Sequence, residues 1–385
     1  MQTKPELSVV IPCLNESATI AKAIGMAQEL ITISGLPGEV VVSDNGSDDG
    51  SQRLAEAAGA RVVPADRRGY GFALLAGIRA ARGNIIVMGD ADATYDFREA
   101  HDLVKAVQQG SDLAMGSRLR GKIEPGAMPL LHRYLGTPVL TGLIRLFFGL
   151  RISDCNCGMR AFSKAAFEKM KLVSGGMEFA SEMLIKAAIC NLKVVEFPCS
   201  LNVDTRDRTP HLNTWRDGWR HLRFILLFAP HVIFTAPGWF LSVIFGLLIL
   251  LLSLGPVTVG TTRLDYHHLF YAVPVFCIGL QLLWFSAFAN KFRSFAGYDI
   301  GSPPVSTKFP LERWLGLGVT IGLAGFAIFV SVLVRWLASG YGTLLAIRPA
   351  VLALTLVLSG FMTVMNALML SMFELHVDSC SDTRR

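Results

Sequence analysis

Four apolar runs, at roughly 233–254, 268–290, 315–338 and 349–372, constrain this 385-residue chain more than any other feature. Each holds about 22 to 24 residues, and at ~1.5 Å rise per residue such a helix matches a hydrocarbon core of ~30 Å. One such run would suit a buried core helix; four in succession predict a membrane domain over 231–385. Residues 1–230 carry the mixed, charged make-up of a domain in water. "MQTKPELSVVIPCLNE" turns into a strand after six residues, with no signal-peptide pattern ahead of it, which predicts a cytosolic N-terminal domain. Loop charge agrees. Lys291, Arg293, Lys308 and Arg313 lie in the second connection, while the first has only Arg263. The positive-inside rule then places both termini in the cytosol. The expectation is an integral membrane protein, in the inner membrane if the cell is bacterial.

The net charge of +6 concentrates in "RTPHLNTWRDGWRHLRF". Trp and Arg at helical spacing, running into the first span, suit anionic headgroups rather than nucleic acid, so no nucleic-acid partner is expected. The apolar segment "LLHRYLGTPVLTGLIRLFFGL" reads likewise as lying on a bilayer surface. Seven scattered cysteines in this setting read as reduced thiols, and the lone Cys155-x-Cys157 pair does not make a zinc site.

The N-terminal half alternates strands with helices. "LSVVIP", "EVVVSD", "ARVVPA" and "NIIVM" read as strands, with "SATIAKAIGMAQELI", "SQRLAEAAG" and "FALLAGIRAARG" as helices between them. Asn15 or Ser17 is the expected cap of the first helix. This alternation predicts a mostly parallel, Rossmann-like α/β sheet, which takes ligands beyond the carboxyl ends of its strands. Polar residues gather at three such ends: Pro12 to Glu16, Asp44 to Ser47, and Asp90 to Asp96. In "GDADATYD", Asp90 and Asp92 alternate on an extended chain, so a slight turn aims both at one point. Hard oxygens of that kind suit Mg²⁺ or Mn²⁺ held together with a diphosphate. Asp96 reads as a helix cap.

The ordered set "VVIPCLNE", "VVVSDNGSDDGS", "RRGYGFALLAGIRAARG", "VMGDADATYD", "MGSR" and "SDCNCGMRAF" resembles the family-2 glycosyltransferases of the GT-A fold. The branch it is most similar to contains dolichol-phosphate mannose synthase and bacterial polyprenyl-phosphate hexose synthases. The resemblance covers about residues 5–230 and implies an inverting transfer of one hexose or uronic acid. The implied donor is a UDP- or GDP-sugar, and the implied acceptor a polyprenyl or dolichyl phosphate at the cytosolic face. It implies nucleotide contacts at Pro12, Leu14, Glu16, Val42 and Asp44, and metal and diphosphate contacts at Asp90, Ala91, Asp92 and Thr94. Arg118, Arg206 and His211 fall at the donor phosphates, and Arg133 at the lipid phosphate. Asp154 and Arg160 fall on an acceptor-side loop, where a structural Asp at a helix start is the alternative. Glu182 is either an acid near the acceptor or a packing and salt-bridge residue. Leu14 replaces a usual Tyr, Thr94 stands where some members carry a metal-binding Gln, and His211 stands where Lys is usual. A processive polysaccharide synthase is disfavoured, since Gln-x-x-Arg-Trp is absent from the chain. A nucleotide-binding flippase is disfavoured by the lack of intramembrane charge clusters. An inactive partner subunit and the oligomeric state, a homo-oligomer included, stay open.

Overall fold

The computed structural model describes residues 4–204, 214–295, 310–341 and 346–381. Chain contacts divide it into two units, 1–228 and 229–385.

In the first unit, strand β1 (Leu7–Cys13) is buried along its whole length. It runs beside β2 (Gly38–Asp44) on one flank and β4 (Ile85–Met88) on the other. Between these come α1 (Ile20–Ser34), α2 (Ser51–Ala57), β3 (Arg61–Pro64) and α3 (Tyr70–Ala80). The two faces of β1 are filled separately. Val9 and Ile11 join Ile24, Ala27 and Leu30 of α1 in one apolar cluster, while Val10 lies against Gly77 of α3. A strand covered on both faces needs a continuous apolar run, as LSVVIPC provides. Its one internal hydroxyl, Ser8, donates to Glu39 and accepts from the Gly83 amide.

Beyond β4 follow a 3₁₀ turn (Phe97–Ala100), α4 (His101–Gln108), β5 (Leu113–Ser117), a π-helical turn (His132–Gly136) and α5 (Thr137–Phe148). Next come β6 (Arg160–Ser163), α6 (Lys164–Met170), α7 (Phe179–Ile189), β7 (Val194–Pro198) and α8 (Thr214–Phe228). The sheet order is β3-β2-β1-β4-β6-β5-β7. All neighbours are parallel except β6, which runs against both β4 and β5. Met88 at the end of β4 and Met115 in β5 both pair with Arg160 at the start of β6. The residues that enter β6 therefore sit beside those that leave β4 and β5.

The first helix begins at Ile20 with Thr19 as its cap residue. Asn15 instead adopts a left-handed backbone (φ 58°) and accepts from the Asp48 amide, stitching the ends of β1 and β2 together. Asp96 accepts from the Arg98 amide at the start of the 3₁₀ turn, as expected of a cap.

The second unit holds α9 (Ala236–Leu254), a short hairpin of β8 (Val257–Val259) and β9 (Thr262–Leu264), α10 (Tyr266–Phe295), α11 (Leu311–Ala338) and α12 (Ile347–Ser381). Among the described residues, four helical stretches are long and apolar enough to cross a membrane: His231–Leu254, Tyr266–Arg293, Leu311–Ala338 and Ile347–Met372. Glycines let α11 and α12 approach closely: a Cβ on Gly360 would fall 2.5 Å from the Gly318 carbonyl oxygen and 2.6 Å from the Gly322 nitrogen. Gln281 and Asn366 exchange amide hydrogen bonds at 3.1 and 3.2 Å, so neither polar group is left in hydrocarbon.

Candidate active site

A cleft of about 910 Å³ opens where β1, β4 and β5 end. Pro12 lines it from β1, Leu14, Asn15 and Glu16 from the segment after β1, and Asn45, Gly46 and Asp48 from the turn after β2. Asp90, Ala91, Asp92, Thr94 and Tyr95 line it from the segment after β4, and Arg118 from the end of β5. Acids and a cation thus share one cavity.

Both acids are held by donors. Asp90 Oδ1 accepts from the Tyr70 hydroxyl at 2.9 Å. Burial, and then the charge of Asp90, push that phenol well above its usual range, so it stays protonated and keeps donating. On the other side, a Cβ added to Gly158 would lie 2.7 Å from Asp90 Oδ2; only glycine leaves room for the carboxylate there. Asp92 Oδ1 accepts from the Thr94 amide at 3.0 Å and the Thr94 hydroxyl at 2.7 Å. Thr94 therefore orients an acid. Among the described residues no group of three or more His, Cys, Asp or Glu side chains is placed to hold a metal ion. Two carboxylates of hard oxygen donors fit Mg²⁺ or Mn²⁺, ions that complete their shell with water and phosphate oxygens.

Arg118 is fixed just as firmly. Its Nε and Nη2 meet Asp154 Oδ2 and Oδ1 at 2.7 and 2.9 Å, and its own amide donates to Oδ2 at 3.1 Å. The Asp154 side chain is fully buried and that of Arg118 is 14% exposed. A planar fork clamped by a carboxylate keeps its orientation while part of it stays open to the cleft. His132 lines the same cavity. Burial, with Arg118 nearby, lowers its pKa from 6.5, so it is neutral near pH 7.

Several expected contacts fall elsewhere. Asp44 is buried and spends its carboxylate on the Gly46 and Ser47 amides and the Gln52 side chain. It shapes the turn that carries Asn45 and Asp48 into the cleft, and Val42 is buried in the core beside it. Asp154, fully buried, spends its carboxylate on Arg118. Arg160 is fully buried and donates to the carbonyls of Cys155, Cys157 and Ala180, so it braces the loop and is closed to a ligand. Glu182 is also fully buried, paired with Lys186 at 2.6 Å and accepting from the Val173 and Ser174 amides. That loop continues to Gly175, whose carbonyl accepts from the Gly71 amide at the start of α3, and to Gly176 and Met177 in the cleft wall. Glu182 is a structural acid. The guanidinium of Arg133 lies over the Tyr134 ring, and its neighbour His132 is the residue that lines the cleft. Arg206 and His211 lie outside the described residues. Asp204, Arg216 and Arg220 line the cleft as well, although the spacing of the last two reads in the sequence only as an interfacial helix.

Residues 8–171 match the family model for glycosyl transferase family 2, and residues 302–374 match the glycosyltransferase family 2 C-terminal transmembrane region. The low-salt glycan biosynthesis hexosyltransferase Agl6 of Haloferax volcanii is 39% identical over 371 residues, which cover 95% of this chain and 88% of that protein. This chain belongs to glycosyltransferase family 2 and is an integral membrane protein with a GT-A-like domain. A dolichyl-phosphate hexose transferase of the same organism is 28% identical over 196 residues, 51% of this chain and 82% of that one. Among solved structures, glucosyl-3-phosphoglycerate synthase from Mycobacterium tuberculosis, in complex with Mn²⁺, UDP and glucosyl-3-phosphoglycerate, aligns with a TM-score of 0.45. It is 24% identical, with 58% of this chain and 78% of that chain covered.

Proposed function

We propose that this chain moves one hexose or uronic acid from a UDP- or GDP-sugar to a polyprenyl phosphate at the cytosolic membrane face, inverting the anomeric carbon. The observation that carries the reading is the meeting of Asp90, Asp92 and Arg118 in one cleft. The two Haloferax relatives, a hexosyltransferase and a dolichyl-phosphate hexose transferase, support the sugar and acceptor classes. The positive charge of the second membrane loop supports the cytosolic orientation.

The chemistry asks for two things. The first is stabilisation of a departing nucleoside diphosphate. Asp90 and Asp92 would hold Mg²⁺ or Mn²⁺, which supplies Lewis-acid stabilisation of that charge when bound. Tyr70 and Thr94 keep the two carboxylates aimed, so little reorientation is needed. The second requirement is to bring two anions together. Arg118 presents a fixed cation to their oxygens. A lipid phosphate with a second pKa of about 6 is largely dianionic near neutral pH and needs little base assistance. This agrees with a cleft in which Glu182 takes no part. Attack opposite the leaving group inverts the sugar carbon.

The test incubates the full-length protein in membranes with labelled nucleotide sugars, Mg²⁺ or Mn²⁺, and undecaprenyl or dolichyl phosphate. One inverted sugar per lipid phosphate is expected, and Asp92→Asn should abolish it. A growing polymer, a retained anomer, or undiminished transfer by the Asn variant would overturn the reading.

A further inference from the structure

Helix α8 presents three different stripes. His221, Phe224, Ile225 and Phe228 are buried, and His221 Nδ1 shares a 2.7 Å hydrogen bond with the Ser181 hydroxyl of α7. This stripe fixes the helix on its own unit. Trp215 and Trp219, one turn apart, are 78% and 59% exposed. Arg216 and Arg220, also one turn apart, line the cleft that holds Asp90, Asp92 and Arg118. Residues at i and i+4 stand about 5–6 Å apart on a helix surface, so two guanidinium groups can close on one phosphate. The segment around the π-helical turn also pairs a cleft-lining residue with exposed apolar side chains. His132 lines the cleft, while its neighbours Leu130 and Tyr134 are 72% and 69% exposed.

We infer that Arg216 and Arg220 form the seat for the phosphate of the amphiphilic acceptor, with Trp215 and Trp219 receiving the first apolar units of its chain. The inference rests on the polyprenyl-phosphate reading above. A soluble nucleotide has no use for large exposed indoles beside its phosphates. A phosphate on a long apolar chain needs a charged receptor and a greasy surface side by side, and α8 supplies both within six residues, 215–220. Tryptophan suits the boundary because its ring is apolar and its N–H is polar. Arg216 and Arg220 bind and position; bond making stays with the groups at the sheet edge.

The experiment compares the full-length wild type with Arg216→Gln/Arg220→Gln and Arg216→Lys/Arg220→Lys in neutral phosphatidylcholine vesicles. It measures transfer at varied acceptor and at varied donor, and direct binding of radiolabelled polyprenyl phosphate. For the Gln pair, loss of charge-assisted bonds should raise the acceptor KM and its Kd by about tenfold or more while the donor KM stays within about twofold. The Lys pair should fall between, since it keeps charge and loses the planar fork. Unaltered nucleotide binding and thermal unfolding certify the fold. An unchanged acceptor Kd, a rise confined to the donor KM, or an effect that appears only when anionic lipids are added would overturn the inference. The reaction proposed above is tested separately. Arginine-dependent lipid binding without transfer would sink that reaction and leave the seat standing, and a wild type that binds no polyprenyl phosphate would remove the seat.

Discussion

Arg118 and Asp154 meet in a two-point contact, Nε to Oδ2 at 2.7 Å and Nη2 to Oδ1 at 2.9 Å, although 36 residues separate them. Asp154→Asn would keep one acceptor and turn an NH₂ group toward the guanidinium. Breaking a buried pair of this kind costs about 3–5 kcal/mol. Sugar transfer should fall by roughly a hundredfold as the fork loses its aim, measured by single-turnover rates alongside thermal unfolding. Full activity in a destabilised variant would show that the pair serves stability alone.

Gly158→Ala probes the acid rather than the cation. The new methyl would lie 2.7 Å from Asp90 Oδ2 and 3.4 Å from Tyr95 Cε2. Asp90 must then swing away from its place. The concentration of Mn²⁺ needed for half-maximal transfer should rise by about tenfold or more, with the unfolding temperature changed little.

Glu182→Gln should destabilise the soluble unit by about 3–5 kcal/mol, because Lys186 would be left charged and buried. Adding Lys186→Met should recover most of that loss. The Gln carbonyl oxygen still accepts from the loop amides that Glu182 serves at Val173 and Ser174. Denaturant unfolding of the single and double variants decides it; a double variant no better than the single would refute the pairing.

Glu39 makes part of the stability sensitive to acid. Burial opposes its charge, but the Arg61 guanidinium, the Arg82 amide and the Ser8 hydroxyl outweigh that, and its pKa sits below the ordinary 4.5. A folded-state pKa lower than the unfolded one gives stability that is complete above 4.5 and is lost as pH falls through the folded value. Glu39→Gln should therefore cost about 1 kcal/mol near pH 7 and nearly nothing well below pH 4. Unfolding followed from pH 7 to pH 3 reads the difference directly.

In the apolar unit, Asn366→Leu should leave the Gln281 amide without its reciprocal partner and cost about 1 kcal/mol. Gln281→Leu/Asn366→Leu should be closer to wild type. Detergent-induced unfolding of the three proteins would show the order.

The alternating strands and helices and the acids after β4 were plain in the sequence because they are local patterns. The partners of those acids were not. Tyr70 lies 20 residues from Asp90, and β6, which brings Gly158 and Asp154 to the edge, has only four residues and no alternation of its own. Asp44 was expected at the base, yet the polar turn NGSDDGS offers so many nearby amides that the carboxylate is consumed there. Glu182 carried a legible sign, since a lysine four residues on suits an intrahelical ion pair. The double use of α8 was hidden because Trp and Arg at helical spacing suit a headgroup layer, and only the fold shows which stripe faces the cavity.

The reversed strand β6 has a consequence for how such a molecule can diversify. Its preceding loop arrives at the edge instead of departing from it, so that loop can lengthen or shorten upstream without shifting the register of either neighbour. Insertions between Phe148 and Ser153 would change the chain ahead of the Asp154 clamp while the acids after β4 stay put. A single sheet can in this way keep an old fuel and learn a new recipient.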